Sequence, residues 1–261
     1  MIAEINGKIS QTGSNLHDRL EDNLTGNVFG TLRYISFNLA LRNILANCIY
    51  PEDIGGLIQG INAEIWGDKI RFWPYDSEGE IDVLIDFDDV IIGIEVKYLS
   101  ALSSDDDIAS FIVAAENFVE REAEKSCNQL ARESRIVSKN GAGKTKILLF
   151  IADSASCRRV YEDVLDRNII EEDVSFGFIS WQSILSQMQA LKLDNPFYQI
   201  IIEDIISLLI KKGFESFTNM YVNLDEDIMP NGFYNFGTQD SFTLSFKTNI
   251  IIEGGLYYEF G

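Results

Sequence analysis

Glu80, Asp82, Glu95 and Lys97 stand in a stretch, EIDVLIDFDDVIIGIEVKYLS (Glu80 to Ser100), that is otherwise suited to burial. Side chains alternate faces along a strand, so Glu80 and Asp82 share one face of EIDVLIDF, and Glu95 and Lys97 share one face of VIIGIEVKYL. With Asp88 and Asp89 as a two-residue turn, Phe87 faces Val90, Asp82 opposes Glu95 and Glu80 opposes Lys97. Two facing carboxylates are destabilising, the more so when partly desolvated, unless a cation joins them or their pKa values shift. Oxygen-only ligands of this kind suit Mg²⁺ or Mn²⁺, which keep several waters and bridge to substrate phosphates. Lys97, one strand step beyond Glu95, reaches the same point and could orient or deprotonate a water or neutralise a phosphate. The same alternation also describes the solvent-facing half of an antiparallel sheet, where charges are ordinary.

These side chains need a scaffold, and the flanking periodicities predict one. From Ser14 to about Asn47, Leu16, Leu20, Leu24, Val28, Leu32, Ile35 and Leu39 recur at helical steps, with Gly26 and Gly30 marking a break. After Pro51, the segments INAEIW, KIRFWPY, EIDVLIDF and VIIGIEVKYL read as an antiparallel meander. A long helix is expected from Asp107 to about Val137, entered through the SSDDD cluster. Then KILLFIA and SFGFIS read as strands separated by a helix from about Ser154 to Asp166, an alternation that implies parallel pairing. Helices over Trp181 to Ala190 and Asn195 to Lys212 precede a tail rich in aromatic residues, Gly and Asn. The reading is an α/β fold whose mixed β-sheet, an antiparallel meander plus parallel strands, is flanked by helices. Residues 1–190 are expected to form the core, and residues 191–261 a C-terminal helical and aromatic-rich extension packed on it.

Composition narrows the chemistry further. At 261 residues and 46% hydrophobic, the chain can bury one large core. Its 21 Lys and Arg against 41 Asp and Glu give a net charge of -20, spread evenly over both halves, so contact with nucleic acid must rest on local basic patches and bound cations. The strongest such patch is Arg132, Arg135, Lys139, Lys144 and Lys146, beside a single Glu133. Three scattered cysteines fit reduced thiols, no segment reads as a signal peptide or a membrane span, and the expected setting is cytoplasmic. His17 is the sole histidine and lacks a neighbouring nucleophile pattern, which argues against Ser-His or Cys-His chemistry. The GAGKT of SKNGAGKTKILLFIA matches the end of a phosphate-binding loop, but Ser138 stands where its first Gly belongs, and it leads into a strand rather than a helix.

Asp82, followed by Glu95-Val96-Lys97 at the end of an apolar strand, resembles the PD-(D/E)xK nuclease superfamily, the restriction-endonuclease-like fold. An acidic helix before these residues, and a long helix and an apolar strand after them, extend the resemblance over roughly residues 14–182. It implies a metal-dependent hydrolase of nucleic acid, DNA above all, in which Asp82 and Glu95 hold Mg²⁺ or Mn²⁺ and Lys97 assists the attacking water. Glu21, in HDRLEDNLTGNVFG, matches the helix carboxylate many members carry near the metal, and the carbonyl of Val96 is a further expected ligand. Gln129, in CNQLARES, matches the helix Gln of RecB-type members. Ile81 stands where the motif has Pro, and Glu133 where RecB-type members have an aromatic residue. Many relatives act as dimers, so a homodimer is expected. The alternative is a catalytically inactive nuclease-like module acting through protein contacts, as in a defence or toxin system.

Overall fold

The most apolar segments of the chain become the inner strands of a five-stranded sheet. The computed structural model describes residues 16–98, 102 and 126–215, with side chains described from Glu21 onward in the first helix. The elements are α1 (Leu16–Leu32), α2 (Leu41–Cys48), α3 (Glu52–Gln59), β1 (Ile70–Phe72), β2 (Tyr75–Asp76), β3 (Gly79–Glu80), β4 (Val83–Asp86), β5 (Val90–Val96), α4 (Gln129–Asn140), β6 (Thr145–Ala152), α5 (Ser154–Arg167), β7 (Ser175–Ser180), α6 (Trp181–Ala190) and α7 (Pro196–Lys211). The sheet runs β1-β4-β5-β6-β7, while β2 and β3 form a separate small ribbon. β1, β4 and β5 pair antiparallel, and β5, β6 and β7 pair parallel, so the expected mixed sheet between helices is present.

β5 sits at the centre, and its hairpin with β4 has the expected register. Val83 pairs Ile94, Ile85 pairs Ile92, and the Phe87 N–H donates to the Val90 carbonyl. Both faces of this hairpin are covered. Val83, Ile85, Ile92, Ile94 and Val96 join the larger core with α1, α2, α3, α6 and α7. Ile81, Leu84 and Ile91 join a second core under α4 and α5. The face bearing Glu95 is thus a helix-covered layer rather than a solvent-facing one. Gly93 makes that layer possible: a Cβ there would lie 2.4 Å from Val137 Cγ2 and 2.7 Å from Ile81 Cδ1. Without a side chain at this position, α4 settles directly onto β5.

Several expectations are corrected. The first helix runs through Gly26 and Gly30 to Leu32, and the break falls at residues 33–40. INAEIW is not a strand, because the Asn38 side chain bonds Asn62, the Ala63 N–H and Glu64 and so replaces ladder bonds for that segment. α3 was not anticipated, although Pro51 as N-cap followed by Glu52 and Asp53 is a helix-start pattern. Glu80 does not face Lys97; it pairs Tyr75 in the β2–β3 ribbon.

Most of the span expected to be one long helix lies outside the described residues; within them residues 126–128 are not helical and a helix begins at Gln129, where the buried Asn128 side chain caps the Leu130 N–H at 2.9 Å. α7, placed in the extension by sequence, shares the larger core through Ile202, Ile205 and Leu209, and the compact unit runs to Ser216. The aromatic tail beyond Glu215 and the side chain of His17 lie outside the described residues. No helix among the described residues is long and apolar enough to cross a membrane.

Candidate metal centre

The end of β5 gathers the charged residues. Lys97 follows the strand directly and keeps its direction, its N–H donating to the Ile151 carbonyl of β6 at 2.7 Å. Asp82 precedes β4 and turns out of the ladder. There its carbonyl accepts the Trp73 N–H, Oδ1 accepts the Trp73 indole N–H at 3.1 Å, and Oδ2 accepts the Val96 N–H at 2.9 Å. Trp73 adopts a left-handed backbone (φ 48°), a costly conformation for a bulky residue, held where both its N–H groups serve Asp82. Glu21 arrives from α1 on the opposite side of the sheet. Its Oε2 accepts the Tyr98 N–H at 3.0 Å and its Oε1 accepts from Lys97 Nζ at 3.0 Å. Glu21, Asp82 and Glu95 each offer a carboxylate oxygen within 4.8 Å of the others.

Glu95 is 2% exposed and Lys97 7%. Glu95 Oε1 accepts from Lys97 Nζ at 2.7 Å and from Gln129 Nε2 at 2.6 Å. Gln129 is thus a donor that orients Glu95. Val96 contributes its N–H to Asp82, and in an extended strand the carbonyl of the same residue leaves on the same side. The structure therefore brings together all five side chains named from sequence, and only the expected Glu80 partner is elsewhere.

Burial and the surrounding acids set the protonation states. Asp82 is pushed well above the ordinary carboxylate range by burial and then by Glu95, against the pull of Lys97. Glu95 is raised by burial and then by Glu133, again opposed by Lys97. For Lys97, burial works against the charge, but Glu95 and Glu21 outweigh it and hold the ammonium above the usual lysine value. A charged ammonium has no lone pair for a proton, so of the expected roles for Lys97, deprotonating a water is the one this arrangement does not support. Its ammonium is the counter-charge that makes Glu21 and Glu95 tolerable where they stand.

Sequence reasoning missed four contributors. Trp73 and Tyr98 hold Asp82 and Glu21, and the Trp181 indole N–H donates to the Lys97 carbonyl at 3.0 Å. Glu133 lies four residues after Gln129 on α4, on the same helix face, and is 1% exposed. Its carboxyl is pushed up to about 8, chiefly by burial, and it meets Glu95 carboxyl to carboxyl. Burial raises both acids of this pair, and their mutual contact raises Glu95 and lowers Glu133. The i, i+4 spacing from Gln129 was the available signal.

The basic patch is engaged within the molecule. Arg132 donates to the Glu78 carbonyl, Arg135 pairs with Glu78 at 2.7 Å, Lys139 with Asp76 at 2.8 Å, Lys144 with Asp86 at 2.6 Å, and Lys146 with Asp173. The GAGKT segment is the turn from α4 into β6, with Lys144 tied to β4 rather than shaping a phosphate cradle. A cavity of about 680 Å³ opens beside Lys97 instead, lined by Lys97, Tyr98, Phe150, Asp153, Arg159 and Lys212 among others, and by none of Glu21, Asp82 and Glu95. That volume suits a nucleotide-sized ligand.

No family model, curated protein or solved structure matches this chain.

Proposed function

We propose that the protein is a metal-dependent nuclease with a restriction-endonuclease-like core, hydrolysing phosphodiester bonds of nucleic acid, DNA first among them. The observation that carries this reading is the convergence of Glu21, Asp82 and Glu95 within 4.8 Å at the end of a central strand, with Lys97 beside them. The order of elements supports it: an acidic helix, an antiparallel hairpin ending in Glu95-Val96-Lys97, a helix, and a parallel strand.

The donor set fits Mg²⁺ or Mn²⁺, being all carboxylate and carbonyl oxygen. Glu21, Asp82, Glu95 and the Val96 carbonyl are the residues to hold it. When bound, such an ion polarises a phosphoryl oxygen and stabilises charge on the leaving oxygen. Trp73, the Val96 N–H, the Tyr98 N–H and Gln129 fix the carboxylates so that little reorganisation is needed on binding. Lys97, as an ammonium, exchanges its hold on Glu95 and Glu21 for the phosphate or the attacking water, donating to either. Arg159 and Lys212 border the adjoining cavity and supply positive charge where the backbone of a nucleic acid would lie.

A second reading, a nuclease-like module without catalysis, is favoured by one observation: the most basic patch of the chain is already paired to Asp76, Glu78, Asp86 and Asp173. Incubation of the chain with plasmid and single-stranded DNA in Mg²⁺ or Mn²⁺ separates the two. Cleavage that falls about 100-fold or more in Lys97→Ala supports the nuclease. Full activity in Lys97→Ala would sink the mechanism, and metal binding without any cleavage would favour the module.

A further inference from the structure

The cavity beside Lys97 takes its lining from elements that meet at the end of the sheet. Phe150 and Ala152 come from β6, Arg159 and Val160 from α5, and Lys212 and Phe214 from the chain just after α7. Apolar side chains and cations therefore border one space. The half-buried Tyr98 adds an aromatic ring, with Lys212 Nζ standing 4.7 Å over it and Phe214 meeting it edge-on at 5.6 Å. Two acids also line the cavity, and both are already engaged. Asp163 is held by Arg167 at 3.0 Å, and Asp153 Oδ1 accepts the Ala155 and Ser156 N–H groups as the cap of α5. Among the described residues, neither Arg159 nor Lys212 pairs with an acid.

Gln182 brings a fixed polar group to the same lining. Its Oε1 accepts the Ser154 N–H at 3.2 Å and the Ser154 hydroxyl at 3.1 Å. A backbone N–H can only donate, so the amide is held with its oxygen there, and what Gln182 offers a ligand is its NH₂ group. A ring, two cations and an oriented donor match the parts of a nucleotide: a flat base that stacks, a phosphodiester, and acceptors on the base edge. Tyr98 joins this cavity to the acids, since its N–H holds Glu21 at 3.0 Å while its ring lines the cavity. A base in a duplex has its edge paired and its faces stacked, and it must leave the helix before it can enter such a space.

We propose that the cavity takes an unpaired base of the nucleic acid, so that the substrate is single-stranded at the nucleotide beside the scissile phosphate. This rests on the reading of the end of β5 as a nuclease site and names the form of its substrate. The first test is fluorescence anisotropy of a labelled single-stranded oligonucleotide, and of the blunt duplex of the same sequence, in chelator so that nothing is cut. The single strand is expected to bind about tenfold or more tightly than the duplex. Arg159→Ala and Lys212→Ala should each weaken single-strand binding about 5–10-fold. Their neighbours Arg158 and Lys211 are exposed and do not line the cavity, so Arg158→Ala and Lys211→Ala should change it little. Thermal melts check that all four variants are folded. The second test is cleavage in Mn²⁺ of single strands in which one abasic site is moved along the sequence. Cutting should slow about tenfold or more at one fixed offset from the missing base. Equal affinity for strand and duplex, equal losses in the neighbouring variants, or cutting indifferent to the abasic site overturns the proposal. So does a mononucleotide that binds as tightly as the strand, which would mark an effector site. In each case Lys97-dependent cleavage leaves the nuclease reading standing. A chain that binds neither oligonucleotide overturns the proposal, and if it also cuts no nucleic acid in Mn²⁺, both fall.

Discussion

Replacing Lys97 by Met removes the ammonium that lies 2.7 Å from Glu95 and 3.0 Å from Glu21 and leaves two acids without their cation. Breaking a buried ion pair on one side costs about 3–5 kcal/mol. Protonation sets a ceiling on that figure. At pH 7 an acid with an ordinary value near 4.3 can be neutralised for about 3.7 kcal/mol, at 1.36 kcal/mol per unit. The expected loss for Lys97→Met in chelator at pH 7 is therefore about 3–4 kcal/mol, a large share of the 5–15 kcal/mol typical of a domain. The penalty shrinks as the pH falls toward about 4.5, where the ordinary acid is itself half neutral. Urea unfolding of both chains at pH 7 and pH 5 measures this, with slopes checked for equality. Mn²⁺ should then stabilise Lys97→Met more than wild type, since no ammonium competes for the carboxylates. A variant within about 1 kcal/mol of wild type in chelator at pH 7, or one that Mn²⁺ stabilises less, would refute the view of Lys97 as the resident counter-charge.

Other expectations follow from particular contacts. Gly93→Ala drives a methyl into Val137 and Ile81 and should cost about 1–3 kcal/mol in thermal or urea melts, with part of the loss recovered by adding Val137→Ala. Trp73→Phe removes the indole donor to Asp82 Oδ1 and should weaken Mn²⁺ binding about 10–100-fold, while Phe72→Leu, on the same segment, should leave it nearly unchanged. Glu133 carries a raised value of about 8 when folded and an ordinary one near 4.3 when unfolded, so the folded chain binds more protons between those values. Metal-free stability should therefore fall as pH rises from about 4.5 to about 8, by up to a few kcal/mol, and Glu133→Gln should flatten that slope.

The hairpin was the most legible part of the chain in sequence. The alternating acids of EIDVLIDF and the Asp88-Asp89 turn point to one register, and shifting it by one residue would part Asp82 from Glu95. KILLFIA reads as a strand because it is apolar from Ile147 to Ala152, and SFGFIS because Phe176, Phe178 and Ile179 follow the helix after it. What escaped the sequence depended on partners distant in the chain. INAEIW has the composition of a strand, but the Asn38 side chain takes its hydrogen bonds. The patch from Arg132 to Lys146 counts as basic until Asp76, Glu78, Asp86 and Asp173 are folded against it. Glu133 looked like a departure from a motif, and its meaning lies in facing Glu95 from another element. Glu21 was named only through a resemblance, since no local pattern ties a residue on the first helix to a strand some seventy residues later.

The central claim is that Glu21, Asp82 and Glu95 jointly hold a divalent cation. Anomalous diffraction from crystals soaked in Mn²⁺ tests it without reference to turnover. The account predicts a manganese peak at about 2.0–2.2 Å from an oxygen of each of the three carboxylates, with Lys97 Nζ withdrawn from Glu95. No peak at the end of β5, or a peak bound by only one of these acids while Lys97 keeps both of its ion pairs, would contradict it.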